Sequence, residues 1–209
     1  MRVAILGAEC TGKTYLARAL SQQLQSDHPG TVWVAEYLRE WCETHGRTPH
    51  ADEQRPIAQV QMERLQAHPK APIVLSDTAP LMTAVYSDII FSDSSLYSWA
   101  VEQHRAFDLT LVAAPDLPWV ADGFQRDGDT RERVDQRLRE VLVRYGLGFS
   151  VVYGTGEART QGARQVLQYA MGAPRTGGVG KSWKWNCDKC SDADCEHRMF
   201  SGLLSPKTV

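Results

Sequence analysis

The sequence predicts an α/β fold, in which helices cover a mostly parallel sheet of five short strands. Short apolar runs rich in Val, Ile and Leu recur along the chain, and stretches with apolar residues at helical spacing separate them. A glycine-rich loop, Gly7–Thr14, joins the first apolar run to the first helical stretch. The 209 residues, 43% of them hydrophobic, suffice for one sizeable core.

Each predicted strand is short and apolar enough to be buried on both faces, as strands of a parallel sheet are. The predicted strands are Arg2–Leu6, Thr31–Ala35, Pro72–Leu75, Leu109–Ala113 and Phe149–Tyr153. Helical spacing of apolar residues predicts helices over Lys13–Gln25, Glu53–Gln66, Ala79–Ile90 and Arg131–Tyr145. These elements place one α/β domain over residues 1–171.

The loop after the first strand reads G-A-E-C-T-G-K-T and matches the phosphate-binding pattern G-x-x-x-x-G-K-[ST] in full. Its glycines let backbone N–H groups face phosphates, and the helix that begins at its end adds a positive dipole. Lys13 is expected to reach the β- and γ-phosphates, and Thr14 to offer its hydroxyl to Mg²⁺. The sequence therefore predicts an ATP or GTP site formed by Gly7, Ala8, Glu9, Cys10, Thr11, Gly12, Lys13 and Thr14.

Charge and hydropathy narrow the class of protein. The formal charge of −2 gives no overall basic field for a nucleic-acid backbone, so polymeric nucleic acid is a disfavoured partner. No long apolar stretch or cleavage-site pattern occurs, so we expect no signal peptide, no membrane span and a cytoplasmic protein. The oligomeric state has no signature in the sequence.

An acid and an arginine follow the second predicted strand. Glu36 closes that strand, and Arg39 lies three residues later, on the same face of a helical first turn. Because ligands of open α/β sheets bind beyond the carboxyl ends of the strands, this pair is a candidate substrate site. The alternative is that Glu36 only complements the helix dipole and pairs with Arg39.

A second acid, Asp77, follows the third predicted strand. In a phosphate-loop protein, an acid at this position is placed to hold Mg²⁺ or to accept a hydroxyl proton. The alternative is that Asp77 caps the next helix.

The segment 114–128, after the fourth strand, is dense in proline, glycine and charge, which is typical of a mobile lid. Phosphoryl transfer depends on cations that close over the γ-phosphate, so an arginine is expected here. Arg126 is the stronger candidate, with Arg131 and Arg133 behind it. Arg137 and Arg139 are expected on a solvated helix face.

Four features together resemble the ribosylnicotinamide kinase domain of NadR-type regulators and its stand-alone relatives among small phosphate-loop ATPases. They are the loop Gly7–Thr14, the run Glu36–Glu40, the pair Asp77-Thr78 and the run Trp119–Gly123. The resemblance covers about residues 1–171. It implies a nucleoside-kinase-like sheet with strand order 2-3-1-4-5 and transfer of the ATP γ-phosphate to the 5′-hydroxyl of nicotinamide riboside, a step of NAD salvage.

Carried onto this chain, the resemblance implies roles for individual residues. Glu36 and Arg39 would face the nucleoside, Tyr37 or Trp119 would stack on its base, and Asp77 would act at the hydroxyl or the metal. Members of the family have an arginine two residues after the lid Asp-Gly, whereas this chain has Gln125 there, followed by Arg126.

The last part of the chain departs from the family pattern. A breaker-rich linker, 172–182, leads to a tail, 183–209, that carries a C-x2-C-x4-C-x-H arrangement. Three thiolates and an imidazole complete a tetrahedral zinc shell, so the tail predicts a structural Zn²⁺ on Cys187, Cys190, Cys195 and His197. An iron–sulfur cluster, a two-cysteine redox pair and a disordered tail are the alternatives.

These observations favour an ATP-dependent small-molecule kinase with Mg²⁺ as cofactor and nicotinamide riboside or another nucleoside as acceptor. Lys13, Asp77, Glu36 and Arg126 are its predicted catalytic residues. Two other classes fit the same motifs. One is a nucleotide-dependent switch whose metal-bearing tail contacts a partner, and the other is a binding module without kinase chemistry.

Overall fold

The computed structural model describes residues 1–118 and 128–172. These described residues belong to one compact unit. The tail ligands Cys187, Cys190, Cys195 and His197, and the linker and tail beyond residue 172, lie outside the described residues. The zinc site and the domain boundaries therefore stay predictions.

A parallel sheet of five strands forms the centre of this unit. Its strands pair in the order β2-β3-β1-β4-β5, and every neighbouring pair is parallel. The predicted order 2-3-1-4-5 is confirmed. The strands are β1 (Arg2–Leu6), β2 (Val32–Val34), β3 (Val74–Asp77), β4 (Leu109–Ala113) and β5 (Ser150–Val152).

Seven α-helices of the described residues connect and cover these strands. They are α1 (Lys13–Leu24), α2 (Tyr37–His45), α3 (Gln54–Gln66), α4 (Pro80–Phe91), α5 (Tyr97–His104), α6 (Gly128–Arg144) and α7 (Gly156–Gly172), with a 3₁₀ turn at Ala51–Glu53. None of the helices in the described part of the chain is long and apolar enough to cross a membrane.

The sheet separates two apolar clusters. On one face, α4, α5 and α6 pack through residues such as Leu81, Val85 and Leu138. On the other face, α1 and α7 pack through residues such as Leu20 and Leu167. Alternate residues of β1 belong to the two clusters, because successive side chains of a strand point to opposite faces. Ala4 and Leu6 lie in the first cluster, and Val3 and Ile5 lie in the second.

Two of the predicted elements are displaced by two residues or more from their expected bounds. The third strand begins and ends two residues later than predicted, so Asp77 is its last residue and pairs in register with Ile5. Helix α6 begins at Gly128 rather than at Arg131, inside the segment expected to be a lid. The end of the strand was not predicted because Ser76 and Asp77 are polar, whereas a buried strand is normally apolar. Both residues are nevertheless buried.

Candidate active site

The carboxyl ends of β1, β2, β3 and β4 meet at one edge of the sheet, because all four strands run parallel. The phosphate loop leaves β1 there, and Glu36, Asp77 and the Ala114–Asp116 turn leave the other three strands at the same edge. The structure therefore brings together the loop and both predicted acids. The lid candidates Arg126 and Trp119 lie outside the described residues.

The phosphate loop has the backbone geometry that its glycines permit. Gly7 has φ +146° and Gly12 has φ +72°, values that residues with a Cβ rarely adopt. A Cβ at Gly7 would lie 2.8 Å from the carbonyl oxygen of Ala113, the last residue of β4. Glycine is thus required where β1 and β4 end side by side.

Hydrogen bonds inside the loop position its cation. The Lys13 ammonium and the Thr11 hydroxyl each donate to the Ala8 carbonyl oxygen at 2.8 Å. Helix α1 begins at Lys13 after Gly12, and no side chain caps its first turn. The first N–H groups of a helix need acceptors, and phosphate oxygens are suited to that role. The loop therefore has the uncapped helix start and the cation that its predicted role in phosphate binding requires.

Asp77 lies beside this loop and is 1% exposed. Neither of its carboxylate oxygens accepts a hydrogen bond of ordinary geometry within the described part of the chain. Burial raises the pKa of Asp77, and the nearby Thr14 hydroxyl and the charges of Lys13, Arg39 and Arg18 act in the opposite direction. A buried carboxylate without partners is costly unless a ligand or metal satisfies it.

The backbone fixes the position of Asp77 and argues against helix capping. Thr78 follows it with φ +78°, and the Thr78 N–H donates to the carbonyl of Ile5 at 3.0 Å. Helix α4 has Ala79 at its N-cap, and no side chain caps it. The left-handed turn at a β-branched residue is strained backbone of the kind found at functional sites. Asp77 therefore faces the loop rather than α4.

Glu36 and Arg39 lie on one face of the first turn of α2, as the sequence predicted. Their Oε2 and Nε atoms are 3.9 Å apart, which is a loose ion pair, and the Arg39 side chain is half exposed. The Arg39 charge acts against the burial that raises the pKa of Asp77, so Arg39 lies near enough to Asp77 to influence its charge.

Tyr37 is more constrained than the sequence suggested. The Arg64 guanidinium covers one face of its ring, 4.4 Å from the centroid, and Arg64 also makes a bidentate pair with Glu40. A base can therefore stack only on the other face of Tyr37.

Several residues that shape the site have no motif in the sequence. Gln61, from α3, accepts a hydrogen bond from the Tyr37 N–H at 2.7 Å and donates to the Ala35 carbonyl and the Ser76 hydroxyl, so it ties α2 to the ends of β2 and β3. Arg18 lies over the ring of Trp33, and its charge opposes the burial that raises the pKa of Asp77. Only the tertiary fold brings these side chains to the sheet edge.

Arg159, on α7, joins the turns that follow β4 and β5. It is 3% exposed, and its guanidinium donates to the Asp116 carboxylate at 2.8 Å and to the carbonyls of Gly154 and Ala114 at 2.9 and 3.0 Å. Asp116 also accepts a hydrogen bond from the Gly154 N–H at 2.6 Å. The Nε atom of Arg159 has no partner among the described residues. The hydrogen bonds of its two terminal nitrogens hold the chain at the start of the segment predicted to be a lid.

The arginines of α6 differ in part from expectation. Arg139 pairs with Asp135 at 2.7 Å within the helix, as expected for a solvated face. Arg137 instead bridges to Asp88 of α4 at 2.7 Å, and Arg131 is buried and donates to the carbonyl of Pro115. Within residues 1–118 and 128–172, no group of three or more His, Cys, Asp and Glu is placed to hold a metal ion.

Solved structures resemble this fold. Two structures of NadR, one in complex with NR and one in complex with NAD and AMP-PNP, have TM-scores of 0.68 and 0.66, at 22% and 20% identity over 83% and 87% of this chain. The chain spans about half of each NadR chain, 52% and 51%. The resemblance to NadR predicted from the sequence is confirmed in the fold.

Two nucleoside and nucleotide kinases share the same architecture over nearly their whole length. Thymidylate kinase from Ehrlichia chaffeensis has a TM-score of 0.60 at 14% identity, over 80% of this chain and 98% of its own. Deoxyadenosine kinase from M. mycoides, with products dCMP and dCDP bound, has a TM-score of 0.58 at 14% identity, over 81% of this chain and 100% of its own. The predicted nucleoside-kinase-like fold is therefore confirmed.

No curated protein matches the sequence significantly. The model of one sequence family, described as AAA domain, matches residues 2–159, which include the phosphate loop, Glu36, Asp77 and Asp116. The match extends over well more than half of the chain, and the protein belongs to the AAA domain family.

Proposed function

We propose that this protein transfers the γ-phosphate of ATP to a sugar hydroxyl of a nucleoside, with nicotinamide riboside as the first candidate acceptor. The observation that carries the proposal is Asp77, a buried carboxylate that accepts no hydrogen bond of ordinary geometry among the described residues and lies beside Lys13 and Thr14 of the phosphate loop. The kinase folds of the similar structures support it.

The residues present fit ATP and Mg²⁺. The uncapped first turn of α1 and the Lys13 ammonium suit phosphate oxygens, and the Thr14 hydroxyl and Asp77 carboxylate suit a hard cation that prefers oxygen ligands. ATP supplies the transferable phosphoryl group when bound, and Mg²⁺ neutralises its charge. One protein carboxylate is enough for Mg²⁺, which usually keeps water and phosphate ligands.

We assign different roles in the reaction to the two acids, Asp77 and Glu36. The Thr14 hydroxyl lies close enough to Asp77 to act on its pKa, so we assign Asp77 to the metal side of the site. Glu36, at the carboxyl end of β2, is then the acid that accepts the proton of the attacking hydroxyl, and Arg39 orients the same part of the acceptor. Tyr37 offers one ring face to the base. Lys13 balances the charge that develops on the transferring group.

A transfer assay tests this proposal. The purified protein is incubated with Mg²⁺-ATP and a panel of nicotinamide riboside, the common nucleosides and the nucleoside monophosphates, and the mass of each acceptor is followed. One added phosphate on nicotinamide riboside is the expected result. Transfer to another acceptor would keep the reaction but change the substrate. No transfer beside tight ATP binding would contradict the proposal and favour a nucleotide-dependent switch.

A further inference from the structure

Glu9 is a buried acid on the phosphate loop whose side chain the phosphate-binding pattern does not require. It is 5% exposed. Its Oε2 atom accepts a hydrogen bond from the Tyr86 hydroxyl of α4 at 2.7 Å. Its Oε1 atom is buried and has no hydrogen-bond partner among the described residues. A buried carboxylate oxygen without a donor costs free energy, so the site is built for a donor that a ligand brings.

The ligand that Glu9 meets is not the phosphate chain of ATP. Phosphate oxygens are anionic acceptors and repel a carboxylate, so the Glu9 side chain does not bind them. Within the described residues no ion pair neutralises Glu9. Because its partner Tyr86 lies on α4, the carboxylate points to the α4 face of the sheet and away from α1, where the first-turn N–H groups lie.

The position of Glu9 indicates which part of an acceptor it meets. This step rests on the proposed function. The phosphate loop holds the γ-phosphate that is transferred, so the part of a nucleoside nearest the loop is the sugar that carries the reacting hydroxyl, and the base lies farther away. The donors on that part of the molecule are the reacting hydroxyl, whose proton we assign to Glu36, and the secondary hydroxyls of the ribose.

We propose that the Oε1 atom of Glu9 accepts a hydrogen bond from a secondary ribose hydroxyl of the acceptor, and that Tyr86 positions Glu9 for this contact. Glu9 is then a specificity-determining residue that selects ribosides over deoxyribosides. A site built to bind a hydroxyl rejects the analogue that lacks it, because the buried acceptor is left without a partner.

The test compares each riboside of the panel with its 2′-deoxy and 3′-deoxy analogues, in the wild type and in Glu9→Gln. The wild type is expected to favour the riboside over at least one analogue by about 10- to 100-fold in kcat/KM, the range of a hydrogen bond to a charged group. Glu9→Gln keeps the shape of the side chain but removes the charge. Because a neutral amide forms a weaker hydrogen bond than a carboxylate does, the variant is expected to lower that ratio about three- to tenfold and to raise the KM for the riboside more than the KM for ATP.

Tyr86→Phe tests the positioning role. It is expected to lower the same riboside-to-deoxyriboside ratio by roughly three- to tenfold, a readout that a purely structural hydroxyl would not move. The matched control is Tyr97→Phe. It removes a hydrogen bond of 2.9 Å from the Tyr97 hydroxyl of α5 to the carboxylate of Asp88. Asp88 lies on α4, as Tyr86 does, but it does not contact the loop. The control should leave the ratio unchanged.

Calorimetry with AMP-PNP and Mg²⁺ present separates this inference from the proposed function. If no acceptor is phosphorylated but adenosine binds more tightly than its deoxy analogues, and Glu9→Gln reduces the difference, the kinase proposal fails and the inference stands. Equal use or equal binding of ribosides and deoxyribosides by the wild type overturns the inference, even if phosphate is transferred. It is also overturned if no nucleoside binds, or if Glu9→Gln raises the KM for ATP instead.

Discussion

His104 makes folding sensitive to acid. It is the last residue of α5 and is 2% exposed. One ring nitrogen, Nε2, lies 2.9 Å from the Thr110 hydroxyl of β4, and the other, Nδ1, is buried without a hydrogen-bond partner among the described residues. Burial lowers the pKa of His104 from 6.5 to about 4. The histidine therefore stays neutral in the folded protein at pH values where it is protonated in the unfolded chain.

The sign and size of the effect follow from linkage. Between pH 6.5 and pH 4 the unfolded state binds one proton more at this residue than the folded state does. The free energy of unfolding therefore falls as the pH falls through this window, by about 1.4 kcal/mol per pH unit and roughly 3 kcal/mol in all. Above pH 6.5 the neutral His104 makes its full contribution to the free energy of unfolding, and below pH 4 that contribution is lost.

The measurement is urea unfolding of the wild type and of His104→Gln at pH 7.5, 6 and 5. Glutamine cannot be protonated, and its amide can still donate to the Thr110 hydroxyl. The stability of the wild type relative to the variant is expected to fall by about 2 kcal/mol between pH 7.5 and pH 5. His68→Gln, at an exposed histidine, is the matched control and should show no such change. A difference between wild type and His104→Gln that does not vary with pH would refute the burial argument.

Three further predictions concern the loop and the tail. Lys13→Ala should lower kcat/KM by on the order of 100-fold or more, because the cation facing the transferring phosphoryl group is lost; unchanged turnover, or an equal loss in the exposed Lys70→Ala control, would contradict its role. Gly7→Ala should weaken nucleotide binding at least about tenfold and lower the free energy of unfolding by about 1–3 kcal/mol, since its Cβ would lie 2.8 Å from the Ala113 carbonyl oxygen. The control is Gly148→Ala, where an added Cβ meets nothing within 4 Å. Equal effects of the two substitutions would exclude the steric explanation. The purified protein should carry about one zinc per chain, retained by Cys10→Ser and lost when both Cys187 and Cys190 become serine; metal-free protein with an unchanged melting temperature would end the zinc hypothesis.

The sequence predicted the fold because local pattern and tertiary structure agree in most of the chain. The bounds of β1 and β4 are those predicted, since both are apolar runs flanked by polar residues. The short helix α5 was not predicted, although Tyr97, Val101 and His104 follow helical spacing, because eight residues rich in aromatic and β-branched side chains also fit a strand. The end of β3 was misplaced because a buried serine and aspartate do not look like a strand.

The candidate site was only partly predictable. Residues within one motif, such as Lys13 and Thr14, could be assigned from spacing, and Asp77 from its place after an apolar run. The contact between Glu9 and Tyr86 joins residues 77 positions apart, and no local pattern encodes it. Gln61 likewise acts only because α3 packs beside the ends of β2 and β3.

Because helices pack on both faces of the sheet, the position of each substitution determines how the effects of several substitutions on stability combine. The cluster containing Leu138 and the cluster containing Leu20 lie on opposite faces, and the helix layers that cover a sheet stand well apart. Changes in stability at sites separated in this way are expected to add. Stabilising substitutions can therefore be collected independently in the α1–α7 layer and in the α4–α6 layer and then merged. Pairs at the sheet edge, where the phosphate loop touches both layers, must be measured together.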